Sequence, residues 1–110
     1  MDAAAIPQID VGELARRRAS GEDLAILDVR EDWEREICAL EPAISIPLNQ
    51  LPANLEKLPK DNALVVLCHH GMRSLRAAAW LRANGFDNVV NLAGGIDAWA
   101  QRIDRQMKVY

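Results

Sequence analysis

Cys68 ends an apolar run and is followed at once by a polar, glycine-containing turn: L-V-V-L-C-H-H-G-M-R-S, residues 64–74. Ionised, a thiol is a strong nucleophile toward soft electrophiles. The residues after it are of the kind that would hold an anion. Gly71 permits a positive φ midway, so that successive N–H groups curl inward as a nest. The helix expected from Ser74 adds unpaired N–H groups and the positive end of its dipole. His69, His70, Arg73 and Arg76 bring local positive charge to an otherwise acidic chain. The expected species is a thiolate held by backbone dipoles, with His69, His70, Gly71, Met72 and Arg73 forming the bowl that receives a small anionic substrate.

Two other uses of these residues compete. A lone cysteine at a strand end is more often a small buried hydrophobe than a nucleophile, but such a residue needs neither the glycine nor the cationic flank. Cys-His-His also suggests a metal. Contiguous residues rarely aim three side chains at one ion, and ligands usually lie two or more residues apart. No metal and no cofactor are expected.

The elements that must position Cys68 follow from hydrophobic patterning. Leu24–Val29 (L-A-I-L-D-V) and Ala63–Leu67 are continuous apolar runs, as in strands buried on both faces. Shorter strands are expected over Ile6–Ile9, Ala43–Ile46 and Val89–Leu92. Helices are expected after Asp10, where Glu13 completes a capping box, and over Glu31–Ile37 and Ser74–Ala83. A last helix should follow Gly94-Gly95 through Trp99 and Ile103. Leu51, Leu55 and Leu58 also sit at helical spacing, with Pro52 tolerable in a first turn. Strands alternating with helices over short loops imply an α/β domain with a mostly parallel sheet. In such sheets ligands bind outside the carboxyl ends of the strands, where Asp28 and Cys68 both fall.

Length and composition bound the function. The 110 residues suffice for one domain, 1–110, and half of them are hydrophobic. A net charge of -3 argues against nucleic acid as a partner. No stretch approaches the ~18 apolar residues of a membrane helix. The start, M-D-A-A-A-I-P-Q-I-D, has no basic residue and no long apolar run, unlike a secretory leader, so the cytoplasm is the expected location. Cys38 and Cys68 are too few for a disulfide scaffold.

Several segments together resemble the rhodanese-like sulfurtransferases. C-H-H-G-M-R-S is similar to that family's Cys-x-x-Gly-x-Arg/Ser loop. D-V-R-E-D-W-E (28–34) resembles its Asp-Val-Arg-x-x-x-Glu segment, A-I-S-I-P-L (43–48) its Ala-x-x-Ile-Pro-Leu stretch, and N-L-A-G-G-I-D-A-W (91–99) its closing Leu-x-Gly-Gly-x-x-x-Trp signature. The four lie in the right order across nearly the whole chain. The resemblance implies a five-stranded parallel sheet with helices on both faces. It implies transfer of a sulfane sulfur from thiosulfate or a persulfide donor, through a persulfide on Cys68, to cyanide, a thiol or a sulfur-carrier protein. Related phosphatases and arsenate reductases have one more residue between cysteine and arginine; the four between Cys68 and Arg73 make a tighter bowl suited to sulfur. A persulfide relay and a non-catalytic interaction module on the same fold are the alternatives. One departure stands out: where the family often reads Gly-His-Ile-x-Gly-Ala, this chain has Cys38-Ala39-Leu40-Glu41-Pro42-Ala43.

Other residues admit plainer readings. Asp28 and Arg30 support the site or form a structural ion pair, since an Asp within L-A-I-L-D-V needs a partner if buried. Cys38 packs, or resolves an oxidised Cys68. Arg16-Arg17-Arg18 is a solvated helix face or a docking patch for an acidic partner. Trp33, Trp80 and Trp99 are core or rim packing, and Gly94-Gly95 serves a turn that needs close backbone approach.

Overall fold

A computed structural model describes residues 6–110, so half of the stretch inspected for a leader lies outside the described residues. Five parallel strands form one sheet: β1 (Gln8–Ile9), β2 (Leu24–Asp28), β3 (Ile44–Ser45), β4 (Ala63–Leu67) and β5 (Val89–Leu92), in the order β1-β5-β4-β2-β3. Between them run α1 (Val11–Ala19), α2 (Asp32–Ile37), a 3-10 segment (Leu48–Lys57), α3 (Met72–Ala83) and α4 (Gly95–Arg102).

Both faces of the sheet are covered, which is why β4 reads as unbroken hydrophobic. Alternate side chains go to opposite sides. Leu64 and Val66 join Leu27, Val29, Ala77, Ala78 and Leu81 beneath α3 and the 3-10 segment. Val65 and Leu67 join Val11, Leu14, Ile26, Ile96 and Trp99 beneath α1 and α4. Leu64, Val65, Val66 and Leu67 are all fully buried. Each such side chain stabilises the fold by roughly 1.5–3 kcal/mol relative to exposure. The sheet is therefore a rigid platform under the loop that leaves it.

Register sets where the site opens. Leu24 pairs with Ala63 and Asp28 with Leu67, so β2 and β4 finish side by side and deliver Arg30 and Cys68 to one edge. Three expectations shift. The helix expected from Ser74 starts at Met72, because Gly71, at φ 105°, turns the chain into it two residues earlier. The Leu51–Leu58 pattern forms a 3-10 helix with a kink at Asn54 instead of an α-helix, with Pro52 inside it. At α1, Asp10 caps as expected, accepting the Glu13 N–H at 2.8 Å. Glu13 itself leans toward Arg17, 3.6 Å away, and a reciprocal capping box forms instead between Glu31 and Glu34 on α2.

Candidate active site

The residues from Cys68 to Ser74 fold around a single sulfur. Gly71 is the N-cap of α3 and has no side chain to receive the free N–H groups of the first turn. The sulfur of Cys68 takes that place. Its Sγ accepts the Gly71 N–H at 3.1 Å and the Ser74 N–H at 3.3 Å. Cys68 is 1% exposed, so those amides meet the sulfur in a space nearly closed to water.

The loop's carbonyls are held facing outward by α4. Its first free N–H groups do this: Ile96 donates to the Cys68 carbonyl at 2.9 Å and Asp97 to the His69 carbonyl at 3.0 Å. This contact explains Gly94-Gly95. A Cβ on Gly95, whose φ is +61°, would stand 2.5 Å from the Cys68 oxygen and 2.4 Å from that of His69. Asn91, the polar residue in V-V-N-L, holds the other end. Its side chain donates to the Gly71 carbonyl at 3.2 Å and accepts from the Ser74 hydroxyl at 2.5 Å, with all three residues buried.

The charged residues of the loop are largely spoken for. Arg73 makes a two-pronged pair with Glu34 of α2, at 2.7 and 2.8 Å. This pair and the Glu31 N–H hold the Glu34 carboxyl down at about 2, despite its burial. Arg73 is raised above its ordinary value by the same contact. Its guanidinium thus anchors α3 to α2 instead of facing open solvent. His70 is exposed, with Nε2 3.7 Å from Asp97. His69 lies sandwiched between His70 (centroids 4.0 Å apart) and Tyr110 (3.9 Å). Burial, followed by the neighbouring His70, pushes its imidazole below the ordinary 6.5, so it is neutral at neutral pH. Met72, 71% exposed, projects outward from the loop.

Beside this loop lies a fully buried ion pair. Asp28 and Arg30 are both 0% exposed and meet at 2.7 Å. Arg30 also donates to the Cys38 carbonyl at 2.9 Å and to the Tyr110 hydroxyl at 3.0 Å. The Tyr110 hydroxyl in turn donates to Glu34 at 2.8 Å. Burial pushes this phenol up to about 12. The sequence reading missed Glu34, Asn91 and Tyr110. Asn91 carried a signal, a polar residue inside a buried strand; Glu34 carried one as the last residue of D-V-R-E-D-W-E, which gave no hint of its contact with Arg73; Tyr110 had none.

The remaining candidates lie apart from the sulfur. Cys38 packs on the α1/α4 side, whereas Cys68 belongs to the cluster beneath α3, and both thiols are free. Arg17 pairs with Glu22, and Arg18 lies over Trp99. Trp99 is buried; Trp33 and Trp80 are exposed. An apolar groove lined by Leu48, Leu51, Pro52, Arg76, Ala77 and Trp80 includes no residue from Cys68 to Ser74. Among the described residues, no helix is long and apolar enough to cross a membrane.

Comparison with known proteins agrees with this geometry. Residues 10–102 match the family described as "Rhodanese-like domain". The chain is 35% identical over 96 residues to a protein named "Sulfurtransferase" from Allochromatium vinosum, covering 87% of this chain and 90% of that one. It is 36% identical to the "Adenylyltransferase and sulfurtransferase MOCS3-2" of Zea mays, covering 94% of this chain but only 23% of that much longer protein. Among solved structures, a rhodanese-like domain protein from Staphylococcus aureus superposes with a TM-score of 0.82 at 30% identity, covering 96% of this chain and 99% of that one. A parallel five-stranded sheet, a cysteine at the end of its central strand and a family match over residues 10–102 make this chain a member of the rhodanese-like sulfurtransferase family.

Proposed function

We propose that this protein transfers a sulfane sulfur through a persulfide on Cys68. The Cys68 thiolate attacks the outer sulfur of thiosulfate or of a persulfide donor. A new S–S bond forms to Cys68, the donor's S–S bond breaks, and sulfite or a thiolate leaves with the bonding pair. An acceptor nucleophile, cyanide or a thiol, then attacks the outer sulfur. Cys68 departs as thiolate, and the product is thiocyanate or a new persulfide.

One observation carries this reading: the Gly71 and Ser74 amides both point at Sγ, at 3.1 and 3.3 Å. Donors fixed before reaction stabilise negative sulfur without reorganising, both in the thiolate and in the persulfide. A cysteine used only for packing has no need of them. Gly71 and Met72 contribute backbone to the bowl, and His69 and His70 line its approach. Arg73, held by Glu34, fixes the end of the loop, and the amides take the larger share in receiving an anionic donor. The acceptor in the cell is a thiol or a sulfur-carrier protein. The relay form of the reaction draws support from the "Putative sulfur carrier protein YrkF" of Bacillus subtilis, of which this chain covers 56% at 31% identity.

The test is direct. Incubated with thiosulfate, the protein gains one sulfur atom by intact mass, and added cyanide releases it as thiocyanate. Cys68→Ser gains none. An unmodified wild-type protein would favour a non-catalytic interaction module.

A further inference from the structure

Three ligand-type side chains meet at the rim of the loop, and they come from two elements. His69 and His70 follow the nucleophile; Asp97 stands in the first turn of α4. One nitrogen of each imidazole and one Asp97 oxygen lie within 4.8 Å of one another. Two ligands around one tetrahedral zinc, at ~2.0–2.1 Å each, are about 3.4 Å apart. Closing the remaining gap needs a shift of about an ångström. His70, whose side chain is 64% exposed, makes it by swinging its ring off the face of His69, on which it stacks at 4.0 Å.

The rest of the cluster is already held in place. The Asp97 N–H donates to the His69 carbonyl at 3.0 Å, so the backbones of two ligands are tied together. The ring of His69 is fixed by Tyr110, stacked at 3.9 Å and 8°. Gln101 donates to the Asp97 carboxylate at 2.9 Å, an outer contact of the kind that orients metal-binding carboxylates. His69 Nε2 is buried and has no hydrogen-bond partner among the described residues. Two imidazoles and a carboxylate leave a fourth position open and suit a divalent ion of intermediate softness.

We propose that His69, His70 and Asp97 bind a divalent transition-metal ion of the zinc class at the mouth of the sulfur loop, and that the bound ion blocks the donor's approach to Cys68. The site is independent of the nucleophile. Only the blocking effect rests on the sulfurtransferase reading above.

Cobalt(II) is the probe, because its spectrum reports its ligands. Titrated into the full chain, it should bind one to one with visible d–d bands and no thiolate charge-transfer band. Asp97→Asn and His70→Ala should each weaken binding at least tenfold with an unchanged circular dichroism spectrum. Cys68→Ser should bind as wild type does. No saturable binding, a charge-transfer band removed by Cys68→Ser or Cys38→Ser, or wild-type affinity in both Asp97→Asn and His70→Ala would each overturn the site. Zinc at ten times the wild-type dissociation constant should slow persulfide formation about tenfold in wild type and no more than about twofold in Asp97→Asn; equal rates with and without bound zinc in wild type overturn the blocking. If the metal-free protein forms no persulfide, the sulfurtransferase reading fails, and the cobalt result still decides the site.

Discussion

Two loops leave the same edge of the sheet and solve opposite problems. Where β2 ends and runs on to α2 stand Asp28 and Arg30, two full charges with no exposure, satisfied by one another's side chains, by the Arg30 N–H and by the Cys38 carbonyl. After β4, the connection to α3 has no carboxylate or guanidinium at its centre. It converges peptide N–H groups on one sulfur and turns its carbonyls toward α4. The first loop is closed on itself: each polar atom's partner is another part of the same network, so its removal should be felt in stability. The second leaves its donors on the sulfur to which we assign the transfer, so its distortion should be felt in chemistry. A parallel sheet offers several strand ends, and only the one with uncommitted backbone donors becomes a site.

The sharpest way to break this contrast is to damage the first loop. Arg30→Ala strands the Asp28 carboxylate in the interior with only Arg35, at 3.3 Å, as a counter-ion. The expected cost is about 4 kcal/mol, because removing one partner of a buried pair leaves an uncompensated charge. Urea denaturation would read this as a much lower midpoint, while the folded fraction still forms persulfide at the wild-type rate. A well-folded Arg30→Ala protein that forms none would put the first loop into the chemistry and end the comparison.

Damage to the second loop should show the reverse balance. Gly95→Ala places a methyl against the carbonyls of Cys68 and His69 at a φ of +61°, forcing α4 and the loop apart. The stability cost is about 3 kcal/mol from strain and overpacking. Persulfide formation, read by intact mass on the folded protein, should fall by far more than the loss of folded material explains. Equal losses of fold and activity would mean that the loop's carbonyl orientation is of no consequence to the sulfur.

Glu34 joins the two loops, since it holds Arg73 of the second and receives the Tyr110 hydroxyl from the network of the first. Its carboxyl is depressed from the ordinary 4.5 to about 2. A depressed acid contributes its full stabilisation above the unfolded value and loses it as pH falls through the folded one. The window is therefore pH 4.5 down to about 2. Arg73 is a third exposed, so solvent screens the pair and the contribution is about 2 kcal/mol, smaller than the full shift implies. Glu34→Gln should be less stable than wild type at neutral pH by this amount, with the gap narrowing across the window. A constant gap from neutral to acid would assign the effect to packing instead of charge.

What was legible in the sequence was local. L-A-I-L-D-V and A-L-V-V-L declare buried strands because both faces of the sheet are covered. Cys68 and Gly71 were legible because the nest needs a glycine within reach of the sulfur. The partners that complete the site were not. Glu34, Asn91 and Asp97 arrive from α2, β5 and α4, and only the register of the sheet brings them to Arg73, Ser74 and His70. The cationic character expected of the loop is reduced for the same reason: Glu34 engages Arg73, and burial keeps His69 neutral. The 3-10 segment was read as α-helical because leucine spacing alone does not separate the two helices, and Asn54 breaks the geometry midway.

The smallest expected effect tests the one contact that spans both loops. Tyr110→Phe removes a hydroxyl that accepts from Arg30 and donates to Glu34, yet Arg30 keeps Asp28 and Glu34 keeps Arg73. The net loss should be about 1 kcal/mol, that of an ordinary hydrogen bond. The phenyl ring retains the stack on His69, so the imidazole stays below 6.5. Tyr110→Ala removes the ring as well, lets water reach His69 and moves its titration upward toward 6.5. NMR titration of the His69 ring separates the two roles of this residue. A shifted His69 in Tyr110→Phe would mean that the hydroxyl network, and not the covering ring, keeps that histidine neutral, and the two loops would then be electrically one.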